Sequence, residues 1–209
     1  FSQDEIKAIG ERALALGVTS FHCIDETKNY YDKVVKYLIF GNVLKNNTYP
    51  LSVSAERISQ ATAIAEYAKK IKADYVVHGS TGAGNDQVRF DMILNILIPE
   101  IKIVTPLSDH KLSREEEITY LQKHGVQINT EKAKYSINKG IWGTSVGGKE
   151  TLTSHLPLPG EAFPSQASKQ GSEEVVLQFK QGEIIGVNNQ TFTHPSEAIK
   201  HLEKLASAY

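Results

Sequence analysis

The segment from residue 75 to residue 90 constrains the fold of this chain more than any other feature. It begins with the apolar, mostly β-branched run 75–77, continues as a loop with three glycines, and becomes a segment whose apolar residues recur at helical spacing from Val88 onward. The pattern predicts a strand, a glycine-rich turn and a helix, in that order. Glycines let a ligand approach the backbone, and a helix N-terminus carries about half a positive charge. The turn is therefore a candidate site for an anion or a nucleotide.

This loop matches neither of the two common phosphate-binding signatures. Asn85 and Asp86 stand where the Walker pattern needs Lys and then Ser or Thr after Gly84. Gln87 stands where the dinucleotide fingerprint needs its third glycine. An ordinary strand-to-helix turn, with Asn85 or Asp86 as the N-cap of the helix, is therefore an open alternative.

Helices and strands alternate along the first 130 residues. The predicted elements are a helix from Ser2 or Asp4 to about 16, a strand over 18–24, a helix over 27–40, a helix that begins at Ser54, a strand over 75–77, a helix after the loop, a strand over 101–105 and a helix from Ser113 to about 123. This alternation predicts an α/β fold with a parallel sheet covered by helices on both faces. Ligands of such sheets bind beyond the carboxyl ends of the strands, which is where residues 78–86 lie.

The helix and strand pattern weakens in the last third of the chain. Residues 131–171 are rich in glycine, proline and polar side chains, and are predicted to be either a functional loop or a linker. Residues 174–188 then predict a β-hairpin with its turn at Gln181-Gly182, and Pro195 begins an amphipathic helix. We expect a nucleotide-binding domain over 1–130, and a substrate loop followed by the start of a second domain over 131–209.

Charge and cysteine content narrow the function classes. With 23 Lys and Arg against 24 Asp and Glu, the formal net charge is −1, and no block of like charges occurs. The sequence thus lacks the electrostatic footprint of a nucleic-acid or anionic-membrane binder, and small-molecule chemistry is expected. The single Cys23 and the absence of a long apolar run in these residues favour the cytoplasm. The seven histidines show no zinc-ligand spacing.

The amino-acid sequence of the loop closely resembles that of one protein family. Residues 78–90 read His-Gly-Ser-Thr-Gly-Ala-Gly-Asn-Asp-Gln-Val-Arg-Phe and resemble the central motif of argininosuccinate synthase, the ligase of the arginine pathway. Only Ala83 departs, at a position that is usually Lys. Segments 49–54, 135–137 and 142–145 also match the family, in order, so that the matching landmarks run over about half of the chain.

This resemblance implies a reaction and an assembly. Citrulline and aspartate would be joined at the expense of ATP, giving AMP and pyrophosphate through an adenylylated citrulline. The implied fold is that of the ATP pyrophosphatases, also called adenine-nucleotide α-hydrolases, and the implied assembly is a homotetramer. No side-chain nucleophile is required, since the protein positions three ligands and stabilises phosphate charge with Mg²⁺ and backbone donors.

The resemblance also implies roles for single residues. Those along ATP, with Gly79 close to the nucleotide, would be Val77, His78, Gly79, Ser80, Thr81, Gly82, Ala83, Gly84 and Asn85. Aspartate would be held by Thr81, Asn85 and Asp86. Citrulline would be contacted by Arg89, Asn85, Tyr49, Ser54, Ser136 and Ser145. The alternatives are that Arg89 and Asp86 form a surface pair, that Ser54 is only an N-cap, and that Tyr49 is a packed aromatic residue.

Two departures from the family limit what carries over. The family usually has Asp-Glu-Asn where this chain has Asn138-Lys139-Gly140, so any role of that acidic pair does not carry over. The family segment Ser-Gly-Gly-Leu-Asp-Thr-Ser, which grips pyrophosphate, does not occur in these residues. We therefore expect the chain to correspond to an internal part of a family member and, taken alone, to be inactive.

Three other function classes stay open at this point. Residues 143–147 satisfy the Gly-x-Ser-x-Gly pattern of a hydrolase nucleophile elbow, although the glycines and prolines that follow disfavour the helix which that elbow needs. Another ligase of the same ATP pyrophosphatase fold, either tRNA-thiolating or NAD-synthesising, is a second alternative. A non-catalytic binding module is the third.

Overall fold

The computed structural model describes residues 2–81, 84–110, 114–126 and 135–209. Helix α1 (Gln3–Ala15) begins after Ser2, which forms a capping box with Glu5. It is followed by Gly17, whose φ of +94° lies in the left-handed region that favours glycine. The start and end signals read from the sequence are both confirmed. Among the described residues, no helix is both long enough and apolar enough to cross a bilayer.

The predicted strand over 18–24 is wrong. Val18 and Ile24 lie in an irregular segment that pairs with no strand in the described part of the chain, and these two residues are 47% and 46% exposed. A strand needs a neighbour to bond its backbone N–H and C=O groups, and the described residues place none beside this segment. The β-branched pattern was present, but its hydrogen-bonding partner was not.

The helix predicted over 27–40 is confirmed, with an irregular middle. Helix α2 (Thr27–Tyr30) passes through a π-helical turn (Tyr31–Val35) into α3 (Lys36–Phe40). Tyr31 and Val35 are buried there and form the centre of a cluster. The half-buried apolar residues packed against it are Val34, Ile39, Ala55, Ile141, Trp142 and Ile199.

The predicted strand–loop–helix unit is present. Helix α4 (Ser52–Ile71) leads to β1 (Tyr75–Val77), the loop leads to α5 (Asn85–Leu97), and β2 (Lys102–Val104) follows. Strands β1 and β2 pair in parallel, with Val76 opposite Ile103. A parallel pair requires a crossover between its strands, and α5 supplies it.

One face of this two-stranded sheet carries a core. Val76 packs there with α4 and α5, in a cluster of buried residues made of Ala65, Ala68, Val76, Leu94, Ile98 and Ile101. The neighbours of Val76 on β1 point to the opposite face, where Tyr75 and Val77 are 60% and 63% exposed. The parallel pairing is confirmed, whereas helices on both faces stay a prediction.

Two short helices follow β2. Helix α6 (Pro106–His110) begins directly after Thr105, and α7 (Arg114–Lys123) precedes Gly125, which adopts a φ of +76°. The end of α7 is close to where the sequence predicted it. The predicted cap at Ser113 lies outside the described residues.

The stretch 131–171 contains a β-hairpin that sequence reasoning missed. Strands β3 (Ser136–Gly140) and β4 (Gly143–Gly147) pair antiparallel around a two-residue turn. The hairpin packs against α4. Its polar and glycine-rich sequence gave no apolar alternation, so its pairing depends on contacts with the rest of the chain.

The hairpin predicted over 174–188 is confirmed. Strands β5 (Leu177–Lys180) and β6 (Glu183–Val187) are joined by Gln181 and Gly182, which both have positive φ, as a tight primed turn requires. Strand β7 (Gln190–Thr191) pairs with β6. Helix α8 (Pro195–Ala206) then packs on β6.

Helix α8 also touches the N-terminal part of the chain. Its Ile199 packs against the cluster of Tyr30, Tyr31 and Val35. An ion pair between Lys28 of α2 and Glu197 of α8, at 2.7 Å, joins the same two parts of the chain. The division at residue 130 stays a prediction.

Candidate active site

A cavity of about 600 Å³ opens at the carboxyl end of β1. Its walls come from the loop after β1, the first turns of α5 and one residue of α4. The lining residues are Ile64, His78, Gly79, Ser80, Thr81, Gly84, Asn85, Asp86, Arg89 and Phe90. This is the position at which parallel α/β sheets place their ligands.

His78 holds the start of the loop in place. Its backbone N–H donates to the carbonyl oxygen of Val104, which continues the pairing of β1 with β2. Its imidazole is 9% exposed, with Nε2 2.9 Å from Oδ1 of Asp91 and Nδ1 accepting from the N–H of Ser80 at 3.4 Å. The ring therefore ties the loop to α5.

The N-terminus of α5 faces this loop. Gly84 is its N-cap, with extended backbone and without a side-chain cap bond, so Asn85 and Asp86 are the first two helical residues. The alternative that Asn85 or Asp86 caps the helix is wrong. Within the described residues no side-chain cap bond forms at this helix start, and free N–H groups at a helix start can bind an anion. Gly82 and Ala83 lie outside the described residues.

Asp86 is clamped by two arginines. Its Oδ1 accepts from Arg89 at 2.7 Å, and its Oδ2 accepts from Nε of Arg57 at 3.1 Å. Burial alone would raise the pKa of Asp86, but hydrogen bonds from Arg57 and Arg89 outweigh burial and hold the pKa below its ordinary value. Asp86 therefore stays ionised at neutral pH, and the three side chains carry two positive charges against one negative.

Ser54 joins this group from α4. Its hydroxyl oxygen accepts from Arg89 at 3.3 Å. The alternative that Ser54 is an N-cap is wrong, since α4 begins two residues earlier, at Ser52, after Leu51 with a φ of +55°. Arg89 and Asp86 do form a pair, as one alternative held, and Arg89 also lines the cavity.

Arg57 was not singled out from the sequence. It lies one helical turn after Ser54, on the same face of α4, and its side chain is 19% exposed. The signal that could have found it is this spacing, which places a guanidinium beside a serine of a matched segment. An arginine on a half-buried helix face is costly unless it is paired, and here it is paired.

The hairpin β3–β4 lies beside this cluster. Asn138 stands directly opposite Ser145, and Ser136 is two residues before Asn138, so these three side chains share one face. Oδ1 of Asn138 accepts from Arg57 at 2.9 Å. Ser136 and Ser145 thus lie on the face that meets α4, although they do not line the cavity.

Tyr49 is another predicted residue that does not line the cavity. It is half-buried, and its backbone pairs with Lys45 in an isolated bridge just before α4. Its predicted contact with citrulline stays a prediction.

A hydrolase site is not present in the described residues. The Gly-x-Ser-x-Gly segment is strand β4 itself, and a short 3₁₀ turn (Lys149–Leu152) follows it, so the strand–elbow–helix geometry is missing. A serine, a histidine and a carboxylate do lie in series elsewhere in the chain, at Ser196, His194 and Asp32. Oγ of Ser196 lies 2.7 Å from Nδ1 of His194, and Nε2 of His194 lies 3.5 Å from Oδ2 of Asp32. Ser196 is buried and His194 caps α8, so this series serves a helix start.

The chain is similar to a family of known proteins along most of its length. Residues 1–127 match the family model described as the arginosuccinate synthase N-terminal HUP domain. The protein named argininosuccinate synthase of Sulfurisphaera tokodaii is 36% identical to this chain over 189 residues, which cover 90% of this chain and 48% of that protein. The one from Methanocaldococcus jannaschii is 34% identical over 210 residues, covering 99% of this chain and 53% of that protein.

A bacterial relative gives the same result. The argininosuccinate synthase of Staphylococcus epidermidis is 32% identical over 210 residues, covering 98% of this chain and 52% of that protein. The chain therefore spans about half the length of the curated relatives it matches. The match extends past the HUP domain, through the hairpins and α8.

Proposed function

The chain belongs to the argininosuccinate synthase family, and we propose on that basis that its protein ligates citrulline to aspartate with ATP, releasing AMP and pyrophosphate. The observation that carries the proposal is the cluster of Arg57, Asp86, Arg89 and Ser54 beside an uncapped helix N-terminus. Such a site offers hydrogen-bond donors to carboxylates and phosphates.

The charge of the cluster suits an amino-acid substrate. Arg89 brings a guanidinium to the cavity wall, where it can attract a substrate carboxylate. Arg89 has five N–H donors, and the two contacts to Asp86 and Ser54 leave others for citrulline. Asp86 keeps lone pairs that can accept from the ammonium of aspartate.

ATP would lie along the loop that starts at His78. Backbone N–H groups of the loop and of the first turn of α5 would donate to a phosphate. Because the fold already holds such groups in place, they would not have to reorient during the reaction. Mg²⁺, when bound, would neutralise charge on the departing pyrophosphate. Among the described residues, no group of three or more His, Cys, Asp or Glu side chains could hold a metal ion. We therefore assign Mg²⁺ mainly to phosphate oxygens and water, which is its usual preference.

In this mechanism the protein's residues position groups and do not react. The ureido oxygen of citrulline attacks the α-phosphate, and the aspartate amine later displaces AMP. Holding such partners in a reactive geometry can supply about 7–11 kcal/mol of the barrier. The tie from His78 to Asp91 and the clamp on Asp86 support this role, because they fix both walls of the cavity.

Product analysis on the whole protein, as its gene encodes it, tests the proposal. We expect AMP and pyrophosphate from ATP only when citrulline is present, and argininosuccinate only when aspartate is added. Release of ADP and phosphate would refute the adenylylation, and a thiolated tRNA product would assign the protein to another ligase of the fold.

Arg89→Lys tests the assignment of the citrulline site. A lysine cannot reproduce the fork that serves Asp86, Ser54 and a substrate carboxylate at once. Loss of a charge-assisted contact worth about 1.5–3 kcal/mol should weaken citrulline use about ten- to a hundredfold. Arg12→Lys, on the exposed surface of α1, is the matched control. Unchanged citrulline KM and kcat in Arg89→Lys would remove this residue from the site.

A further inference from the structure

We propose that Arg57 is a positioning residue that fixes the β3–β4 hairpin against the cavity wall by binding Asp86 and Asn138 at the same time. The functional part of this inference rests on the proposed function. The geometric part concerns the chain itself and can be tested without any enzyme assay.

Three nitrogens of Arg57 are engaged with three different partners. Nε donates to Oδ2 of Asp86 at 3.1 Å, and Nη2 donates to Oδ1 of Asn138 at 2.9 Å. Nη1 donates to Oε1 of Gln60 at 3.2 Å on the same helix. The guanidinium therefore connects α4, the start of α5 and strand β3 in one plane.

The charge environment makes this link strong. The side chain of Arg57 is 19% exposed. Within the described residues it faces two carboxylates, that of Asp86 and that of Glu56, whose Oε1 lies 3.7 Å from Nη1. A hydrogen bond to a charged group contributes more to the free energy of unfolding than a hydrogen bond between neutral groups. A buried acceptor that loses its donor destabilises the fold, because it stays out of water without a partner. Removing Arg57 would leave the oxygens of Asp86 and Asn138 without this donor.

Arg57 does not line the cavity, so it acts through its two partners. Asp86 forms part of the cavity wall. Asn138 stands opposite Ser145 and on the same face as Ser136. A single guanidinium thus sets the distance between the wall that would receive aspartate and the strand pair whose serines would receive citrulline.

The first experiment uses the chain of 209 residues. In Arg57→Gln we expect the carboxyl titration of Asp86, followed by NMR, to move to higher pH, because one of its two cationic partners is lost. We also expect amide hydrogen exchange of the hairpin to become faster by about tenfold, since it loses one tie to α4. Gln60→Ala removes a partner of Arg57 that touches neither Asp86 nor the hairpin, and should change neither readout. An unchanged titration together with unchanged exchange in Arg57→Gln would overturn the inference.

The second experiment uses the whole protein and separates the two substrates. Arg57→Gln should raise KM for both aspartate and citrulline, by about ten- to a hundredfold. Asn138→Ala should raise KM for citrulline alone, because Asp86 keeps both of its arginines. If Arg57→Gln left both KM values unchanged while its Asp86 titration moved, the link would be structural only and the positioning role would be wrong. If the parent protein made no argininosuccinate, the proposed function would fail, and the NMR experiment would still decide the geometric part.

Discussion

The hairpin β3–β4 should depend on one buried serine of α4. Ser52 is fully buried, and its hydroxyl donates to the carbonyl oxygen of Trp142, in the hairpin turn, at 2.6 Å. The carbonyl oxygen of Ser52 also accepts from the hydroxyl of Tyr30. Ser52→Ala removes the first bond and leaves a partly buried acceptor without its donor, at a cost of about 1–3 kcal/mol. The better helix propensity of alanine returns a few tenths of a kcal/mol.

Thermal unfolding followed by circular dichroism measures this cost. At this chain length about 1 kcal/mol shifts Tm by roughly 2–4 °C, so a net cost of about 0.7–2.7 kcal/mol should lower the Tm of Ser52→Ala by about 1–11 °C. Ser59→Ala is the matched control, because Ser59 is half-buried on the same helix and has no side-chain hydrogen bond within the described part of the chain. If Ser52→Ala and Ser59→Ala melted within about 1 °C of each other, the bond to Trp142 would not hold the hairpin.

Two further changes test the core and the charge of α4. Leu94→Ala empties a fully buried position between α4, α5 and β1, and should cost about 2–5 kcal/mol in urea unfolding, whereas exposed Ile96→Ala should cost far less. Burial raises the pKa of Glu56 more than Arg57 lowers it, so folding favours its protonated form. The contribution of Glu56 to stability should therefore fall as pH rises from about 4.3 through the raised pKa, so Glu56→Gln should gain stability relative to the unsubstituted chain over that range. A difference between Glu56→Gln and parent that does not vary with pH would contradict this sign.

The sequence predicted the elements whose signals are local. The capping box at Ser2, the glycine-rich loop and the turn at Gln181-Gly182 each depend on residues within a few positions of one another. Backbone preferences and capping bonds determine such features before any tertiary contact forms. The position of the cavity followed from the same logic, because the carboxyl end of β1 is set by the strand and the loop alone.

The errors concern features that depend on distant partners. The strand over 18–24 has the right residues but no neighbouring strand among the described residues. The hairpin β3–β4 has few apolar residues, yet it forms because Ser52 and Arg57 bind it from α4, more than 80 positions away along the chain. Arg57 was missed for the same reason, since its importance lies in partners that only the fold brings to it.

The triplet Asn138-Lys139-Gly140 contacts two helices. Asn138 accepts from Arg57, and Lys139 forms an ion pair with Glu203 of α8 at 2.7 Å. The Lys139 pair is exposed and worth at most about 1 kcal/mol, so it orients the strand more than it stabilises the fold. At Gly140 a Cβ atom would lie 2.5 Å from a carboxylate oxygen of Glu56, so the Glu56 side chain would have to move to make room for it. Asn138 and Gly140 thus keep β3 close to α4, whereas Lys139 joins β3 to α8, and Ser136 and Ser145 stay on the face that meets α4.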